Sequence, residues 1–373
     1  MIYADHAATT KLDKAAFEAM KPFFLEEYGN ASQPYSFSRA AKKELKKSRE
    51  FIAECINAEP EEIYFTSGGT ESNNWAIKSN ALVYGDVRTI ITSNIEHHTV
   101  LNACASVERM GIPVSYLPVN YEGIVCPTYL NETITNNTKL VSVMFANNEI
   151  GSVQPIRDLC DIAHQNSALF HTDAVQAVGH LPIDVKELGI DMLSASAHKF
   201  NGPKGIGFLY IKHGTDLQPL LNGGAQEFGK RAGTENIALI AGMSVALKNS
   251  CNRMFETTQK LQTLETCLLQ ELKAARLDFI LNGSYLKIPG NINISFKNAD
   301  GEMLLHRLDL MGVCVSTGSA CDSTTNKVSH VLQAIKVPND YIKGTIRISL
   351  GYENTEEEVV KIARSLAKIL HRK

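Results

Sequence analysis

Two segments of the chain put complementary chemistry at the ends of neighbouring predicted strands. HTDAVQ spans His171 to Gln176, and SASAHKFNGPKG spans Ser194 to Gly205. Asp173 closes the first apolar strand, and Lys199 follows the next one with a serine and a histidine beside it. Pyridoxal phosphate (PLP) needs an amine for its aldehyde, a carboxylate for its ring nitrogen and hydroxyl or N–H donors for its phosphate. Alone, each residue is more simply a turn acid or a surface lysine; together, in an alternating α/β pattern, they predict a PLP site.

Two further motifs are suited to the phosphate and the ring of such a ligand. TSGGTES (Thr66 to Ser72) follows an apolar run and opens a predicted helix, where glycines allow close backbone approach and the helix N-terminus favours a phosphate. A simple capped turn explains this motif equally well. IEHHTV (Ile95 to Val100) follows the run TIIT and places a histidine where α/β folds bind ligands. Spacing does not choose between His97 and His98.

Three polar positions complete the candidate set. Asn148, in ANNEIGSVQPI, follows a very apolar run and can bind a ligand or form a turn. Cys321 lies in the polar loop STGSAC and can act as a nucleophile, whereas Cys314, between two valines, is expected to be buried. Arg347 lies within the β-rich run TIRISL, where a charge needs a partner; a substrate carboxylate or an internal salt bridge would serve.

Composition limits the classes of function. The chain has 373 residues, 44% of them hydrophobic, and a net charge of -3, which predicts a folded protein that binds no nucleic acid. No run reaches the ~18 apolar residues of a membrane span, and no signal segment is evident at the N-terminus. The eight cysteines show no metal-ligand spacing, so we expect free thiols, no metal and a cytoplasmic, reducing compartment.

The order of apolar runs predicts an α/β fold with a second, smaller part. The first part alternates helices, including 37–56, with five short buried runs that indicate a largely parallel sheet, and IGFLYI is expected to be its antiparallel member. After about Thr234 come long helical sequence, the strands NINISF and TIRISL, and a last helix with Thr355 and Glu358 spaced as a capping box. We predict a large domain at 13–245 and a small α+β domain at 246–373, joined by 1–12.

Nine motifs in register give the chain a clear resemblance to a known family. They are YADHAATT, TSGGTES, EHHTV, NNEIGSVQPI, HTDAVQAVGHLPID, SASAHKFNGPKGIG, RAGTEN, STGSAC and TIRISLG. In this order they resemble the cysteine desulfurases of the NifS/IscS type, which are class V, fold-type I PLP enzymes. The resemblance covers nearly the whole chain. It implies conversion of L-cysteine to L-alanine, a homodimer, and delivery of sulfur to an acceptor such as an iron–sulfur scaffold protein or a thiolation partner.

The resemblance also implies a role for each matching residue. Lys199 would bind PLP covalently, Asp173 would pair with the ring nitrogen, and His97 would stack on the ring. Cys321 would accept the substrate sulfur as a persulfide, and Arg347 would hold the substrate carboxylate. The remaining implied contacts are Gln176 and Asn148 near the ring hydroxyl, Gly69, Thr70, Ser196 and His198 at the phosphate, and Thr234 at the phosphate of the neighbouring subunit.

The chain departs from the family pattern at two places, and three other functions compete. Ala197 replaces a common glycine, and DSTTNKVSH after Cys321 lacks the usual Leu-Glu-Pro, which affects loop behaviour and partner docking. Another class V enzyme is one alternative: Cys321 argues against an aminotransferase, whereas a selenocysteine lyase would use the same residues. A non-catalytic sulfur-delivery scaffold would predict a damaged Lys199 or Asp173, and a nucleotide-binding oxidoreductase would need GxGxxG.

Overall fold

A seven-stranded sheet forms the centre of the computed structural model, which describes residues 1–81, 88–317 and 328–371. Its strands are β2 (Ile63–Thr66), β3 (Thr89–Ser93), β4 (Val114–Leu117), β5 (Thr138–Ser142), β6 (Leu169–Asp173), β7 (Met192–Ser196) and β8 (Gly207–Ile211). They lie in the order β2-β8-β7-β6-β5-β3-β4. Neighbours pair in parallel from β7 to β4, and β8 is antiparallel to both β7 and β2. The predicted mostly parallel sheet, with IGFLYI antiparallel, is therefore confirmed.

The strands are apolar because both faces of the sheet are covered. Along β8, Phe208 and Tyr210 pack into one hydrophobic core, while Leu209 and Ile211 pack into another on the opposite face. A strand buried on both sides has no polar alternation, which explains the continuous apolar runs of the sequence. β4 lay outside the predicted strands, since it is a short edge strand with an exposed Tyr116.

Helices connect the strands and cover the sheet. In chain order they are α1 (Lys14–Met20), α2 (Pro22–Leu25), α3 (Arg39–Cys55), α4 (Gly69–Ala81), α5 (His98–Glu108), α6 (Pro127–Thr133), α7 (Ile156–Gln165), α8 (Val185–Leu188), α9 (Ile237–Asn252), α10 (Met254–Ala274), α11 (Gly301–Leu310), α12 (His330–Ala334), α13 (Asn339–Ile342) and α14 (Glu356–Leu370). The helix predicted over 37–56 is α3. Ala41, Ile52 and Ile56 are buried, whereas Phe37 lies in a preceding 3₁₀ turn and is 46% exposed, so the helix begins two residues later than predicted.

A second, smaller sheet packs against the C-terminal helices. Strands β9 (Phe279–Asn282), β10 (Asn291–Phe296) and β12 (Thr345–Ser349) form an antiparallel sheet in the order β12-β10-β9. The N-terminal β1 (Ile2–Tyr3) pairs with β11 (Val313–Cys314) and shares this second core with α10, α11 and α14. The capping box predicted from Thr355 and Glu358 is present at the start of α14. The division at 245/246 falls inside α9 and stays a prediction.

The topology fixes where a ligand site can form. The carboxyl ends of β3, β5, β6 and β7 lie at the same edge of the sheet because these strands are parallel. The loops that follow them carry His97, Asn148, Asp173 and Lys199. Among the described helices, none is long and apolar enough to cross a membrane.

Candidate active site

A cavity of about 400 Å³ lies at this edge of the large sheet. Its size falls within the ~300–1,000 Å³ typical of small-molecule sites. Ten of the twelve predicted site residues line it, and these are Gly69, Thr70, His97, Asn148, Asp173, Gln176, Ser196, His198, Lys199 and Arg347. Residues far apart in the sequence thus meet around one volume.

Lys199 lies in a 3₁₀ turn (Ala197–Lys199) directly after β7. Its Nζ donates hydrogen bonds to the carbonyl oxygens of Ala7 and Ala8, at 2.6 and 2.8 Å. Gln176 Nε2 donates to the same Ala7 oxygen at 3.0 Å. The segment that follows β1 therefore holds the amine at the cavity wall. Lys204, the nearest competing amine in the sequence, is exposed and does not line the cavity.

Asp173 is the last residue of β6 and is only 5% exposed. Its Oδ1 accepts a hydrogen bond from the Val175 N–H at 3.0 Å, and its Oδ2 accepts one from Asn73 Nδ2 at 2.7 Å. Both bonds fix the orientation of the carboxylate. Asn73, on α4, was missed by the sequence analysis, although it lies one residue beyond TSGGTES. Its Oδ1 is buried and has no hydrogen-bond partner among the described residues.

His97 is the N-cap of α5, and its ring lines the cavity. The Thr99 N–H donates to His97 Nδ1 at 3.2 Å, so Nδ1 is an acceptor and the proton of the neutral ring lies on Nε2. Burial lowers the pKa of His97; nearby Asp173 opposes this effect, and Lys199 adds to it. At neutral pH the ring is therefore an uncharged surface. His98 also lines the cavity, with its ring centroid 6.4 Å from that of His97.

Gly69, Thr70, Ser196 and His198 form the end of the cavity next to the N-terminus of α4. A β-carbon on Gly69 would lie 2.5 Å from Val175 Cγ2, so a side chain there would collide with the loop after Asp173. His198 Nδ1 is 3.1 Å from Thr9 Oγ1. Burial, followed by the charges of Lys199 and Lys204, lowers the pKa of His198 to about 4. Hydroxyls, a neutral imidazole and free helix N–H groups make this end suitable for an anion.

Arg347 extends from β12 into the cavity and is 3% exposed. Its Nη2 lies 2.8 Å from Asp5 Oδ1, and its Nη1 donates to the Asn148 carbonyl oxygen at 2.8 Å. The internal salt bridge considered for this arginine is therefore present. Its Nε is buried without a hydrogen-bond partner among the described residues. Asp5 was not predicted as a partner, because 342 residues separate the pair.

Two predicted residues are not placed in the cavity. Thr234 is exposed and does not line it. Cys321 lies outside the described residues. Cys314, expected to be buried, is half-buried in β11, where it pairs with the exposed Tyr3; that expectation is wrong because the strand has a single neighbour.

Two titratable groups near the cavity, Glu96 and His330, were not among the predicted site residues. Glu96 is fully buried, and its Oε1 accepts hydrogen bonds from Ser93 Oγ at 2.6 Å and from the Met144 N–H at 2.9 Å. Burial raises the pKa of Glu96 to about 8, so the group is largely protonated at neutral pH. His330, at the start of α12, lines the cavity and donates from Nε2 to the Glu96 carbonyl oxygen at 3.0 Å. Among the described residues, no cluster of His, Cys, Asp and Glu could hold a metal ion.

The donor set of the cavity fits PLP. One amine, one buried carboxylate with fixed orientation, a neutral ring and an anion-binding end are the groups that its aldehyde, ring nitrogen, ring face and phosphate require. The unpartnered Asn73 Oδ1 and Arg347 Nε offer further polar atoms at the cavity.

Comparisons with known proteins agree with this fit. The family model described as aminotransferase class-V matches residues 2–362. The chain belongs to this family. It is 47% identical to the cysteine desulfurase IscS of Dictyoglomus turgidum over 373 residues, covering 100% of this chain and 95% of that protein. Among solved structures, a NifS-like protein superposes with a TM-score of 0.94 at 36% identity, with both chains fully covered. A structure titled SspA in complex with cysteine gives a TM-score of 0.85 at 35% identity, covering 95% of this chain and 100% of that one.

Family and fold together fix the enzyme class. The chain has the PLP fold type I and is a PLP-dependent cysteine desulfurase. The expectations of fold class, cofactor and activity are thereby confirmed.

Proposed function

We propose that the cavity converts L-cysteine to L-alanine and that Cys321 takes up the sulfur. In the net step, the substrate C–S bond breaks and an S–S bond forms, so L-cysteine and the Cys321 thiol give L-alanine and a Cys321 persulfide. The observation that carries this proposal is the convergence of Lys199, Asp173 and Arg347 on one cavity. Each group comes from a different element, and each has the chemistry that one part of the reaction needs.

Lys199 and Asp173 define the two ends of the reacting centre. PLP, when bound, supplies an electron sink that stabilises the carbanion formed at the substrate α-carbon. Lys199 Nζ would bind this group, and the same amine would take and return the α-proton. Asp173 would keep the ring nitrogen of PLP protonated, and Asn73 holds the Asp173 Oδ2 in position. His97, whose ring lines the cavity and is uncharged at neutral pH, would cover one face of the PLP ring.

Arg347 is proposed to hold the substrate carboxylate. Its Nη2 is bound to Asp5, and its Nη1 to the Asn148 carbonyl, so the guanidinium is fixed before substrate arrives. A fixed guanidinium lowers the entropy cost of binding a planar carboxylate. Asn148 then has two roles: its backbone orients Arg347, and its side chain is available near the ring hydroxyl. Gln176 is tied to Ala7, next to the Lys199 amine.

Cys321 is proposed as the persulfide carrier because of its place in the chain. It lies in the polar sequence STGSAC, between β11 and α12 in the chain. A thiol on a polar loop can meet the substrate sulfur and then present it to an acceptor. The acceptor is proposed to be an iron–sulfur scaffold or a thiolation protein in a reducing, cytoplasmic compartment, which suits a chain whose seven described cysteines are all free thiols.

A homodimer is proposed to complete the phosphate site. Thr234 is exposed and lies away from the cavity of its own chain, so a contact with a phosphate requires the neighbouring subunit's cavity. The surface near the N-terminus supports such an assembly. Between residues 17 and 37 it exposes Phe17, Phe24, Leu25, Tyr28, Tyr35 and Phe37. A patch of this kind marks an interface more often than a free surface.

Replacing the amine tests the assignment. Lys199→Ala is expected to abolish alanine formation and the visible absorbance of the lysine-bound cofactor, because no other amine lines the cavity among the described residues. Lys204→Ala is the matched control, since Lys204 lies five residues on and is exposed. Lys204→Ala should keep both the visible absorbance of the lysine-bound cofactor and alanine formation. A borohydride-reduced cofactor adduct mapped to Lys204 would show that the wrong amine has been assigned.

A further inference from the structure

Two cysteine thiols meet where α3 packs against α9, outside the active site. Lys248 Nζ of α9 lies 3.9 Å from the centroid of the Phe51 ring of α3. About one turn further along each helix come Cys55 and Cys251. The two thiols share a hydrogen bond. Both are half-buried and pack against the main hydrophobic core. Neither lines the active-site cavity.

The hydrogen bond makes the two sulfurs chemically unequal. It lowers the pKa of Cys251 and raises that of Cys55 well above its usual range. The charge of Lys248 opposes the rise at Cys55, whereas nearby Glu54 adds to it. Since the thiolate is the reactive form of cysteine, Cys251 is the more nucleophilic member of the pair. A half-buried site admits a small reagent but not a protein.

We propose that Cys55 and Cys251 form a reversible disulfide when a peroxide reaches them. Cys251 thiolate attacks one oxygen of hydrogen peroxide, the O–O bond breaks, hydroxide leaves, and the sulfur becomes a sulfenic acid. The Cys55 sulfur then attacks the Cys251 sulfur and displaces the oxygen as water. Two thiols and one peroxide thus give one disulfide and two waters, and the two electrons pass from sulfur to oxygen.

The contact between the two thiols protects the pair from overoxidation, and raised pKa values distinguish Cys104, Cys160 and Cys267 from Cys251. A sulfenic acid with a thiol already in contact condenses faster than it meets a second peroxide. Cys104 and Cys160 are buried, and burial raises the pKa of each, so they should remain reduced. Cys267, on α10, is half-buried like the pair, but burial and two nearby glutamates raise its pKa. It is therefore a matched control.

The disulfide would cross-link two helices that are distant in sequence. It would close a loop of about 200 residues, and loops of that length lose the most entropy in the unfolded chain when closed. We therefore expect the midpoint of thermal unfolding to rise by about 5 °C on oxidation and to return to its first value with dithiothreitol.

Peptide mapping of the PLP-loaded enzyme tests the proposal. The wild type and the variants Cys55→Ser, Cys251→Ser and Cys267→Ser are treated with hydrogen peroxide, alkylated and digested without reductant. The wild type and Cys267→Ser should give a peptide pair linked through Cys55 and Cys251, with two fewer alkylated thiols and a raised unfolding temperature. Both other variants should lack the linked pair and the temperature shift.

Three results would overturn the proposal. One is a Cys251 sulfinic acid without a cross-link, and another is a disulfide from either residue to a different cysteine. The third is an unchanged thiol count at a peroxide dose that oxidises Cys321. Because the readouts are linked peptides and unfolding temperature, they do not depend on the desulfurase reaction.

Discussion

Two buried aspartates with equal exposure allow catalysis to be separated from folding. Asp173 and Asp191 are each 5% exposed. Asp173 lines the cavity, whereas Asp191 bonds His164 Nε2 at 2.7 Å and the Phe170 N–H at 2.8 Å away from it. Changing each to asparagine removes one negative charge and keeps the shape of the side chain. Asp173→Asn should lose turnover and keep its stability, whereas Asp191→Asn should lose stability and keep its turnover.

Asp173→Asn should fold and bind PLP but turn over slowly. The Val175 N–H can still bond the retained oxygen, and a flip of Asn73 would turn its unpartnered Oδ1 toward the new amide. The ring nitrogen, however, loses its charged partner. Losing one member of a buried charge pair costs about 3 kcal/mol, equivalent to a fall in kcat/KM of about 100- to 1,000-fold.

Asp191→Asn should lose stability and keep its turnover. Lys212 Nζ lies 3.5 Å from Asp191 Oδ1 and, like His164, would lose an anionic partner. Hydrogen bonds to charged groups contribute about 1.5–3 kcal/mol each, so the unfolding midpoint should fall by a few degrees. The assays are alanine formation under steady state and thermal unfolding of the same samples. Near-normal kinetics in Asp173→Asn, with normal PLP content, would remove this residue from the mechanism.

Three further variants test other parts of the site. Arg347→Lys should raise KM for cysteine and lower kcat/KM about 10- to 100-fold. A lysine cannot bond Asp5 and the Asn148 carbonyl oxygen and also bind a carboxylate. Unchanged kinetics would mean that Arg347 serves only the internal salt bridge with Asp5. Thr234→Ala should weaken PLP binding about 10-fold in a cofactor titration without dissociating the dimer, and unchanged PLP affinity would exclude a phosphate contact. Glu96→Gln should be more stable than the wild type at pH 8. Because folding raises the pKa of Glu96 from about 4.5 to about 8, the folded protein loses stability as the pH rises through this range. Glutamine has no proton to lose, so the variant should not lose stability in this way. Parallel curves of unfolding temperature against pH for the two proteins would contradict the Glu96 prediction.

Much of the fold was predictable because the burial of a strand is reflected in the residue types of that strand. MLSAS and NINISF coincide with β7 and β10, and both strands are buried along their whole length. LVSVMFA, 140–146, predicted a longer strand than β5. Regular strand pairing ends at Ser142, although the N–H groups of Val143 and Phe145 still donate to the carbonyls of His171 and Asp173. An apolar run therefore predicts which residues are buried, but it does not predict where the regular pairing of a strand with its neighbours ends.

Contacts between distant segments of the site were less predictable. Asp5 and Arg347 lie in two separate motifs, and Asn73 directly follows TSGGTES, but nothing in the sequence pairs Asp5 with Arg347 or Asn73 with Asp173. Only the folded chain brings them together. The anchoring of Lys199 by the Ala7 and Ala8 carbonyls is a backbone contact, which carries no side-chain signal at all.

The most direct test of sulfur transfer is the mass of one peptide. PLP-loaded enzyme is mixed briefly with L-cysteine, quenched with an alkylating reagent and digested without reductant, while alanine is measured in the same sample. The account predicts one added sulfur on the Cys321 peptide, none on the half-buried Cys314, and no alanine from Cys321→Ala even though it retains PLP. Sulfur on Cys314 in place of Cys321, or full alanine production by Cys321→Ala, would contradict it.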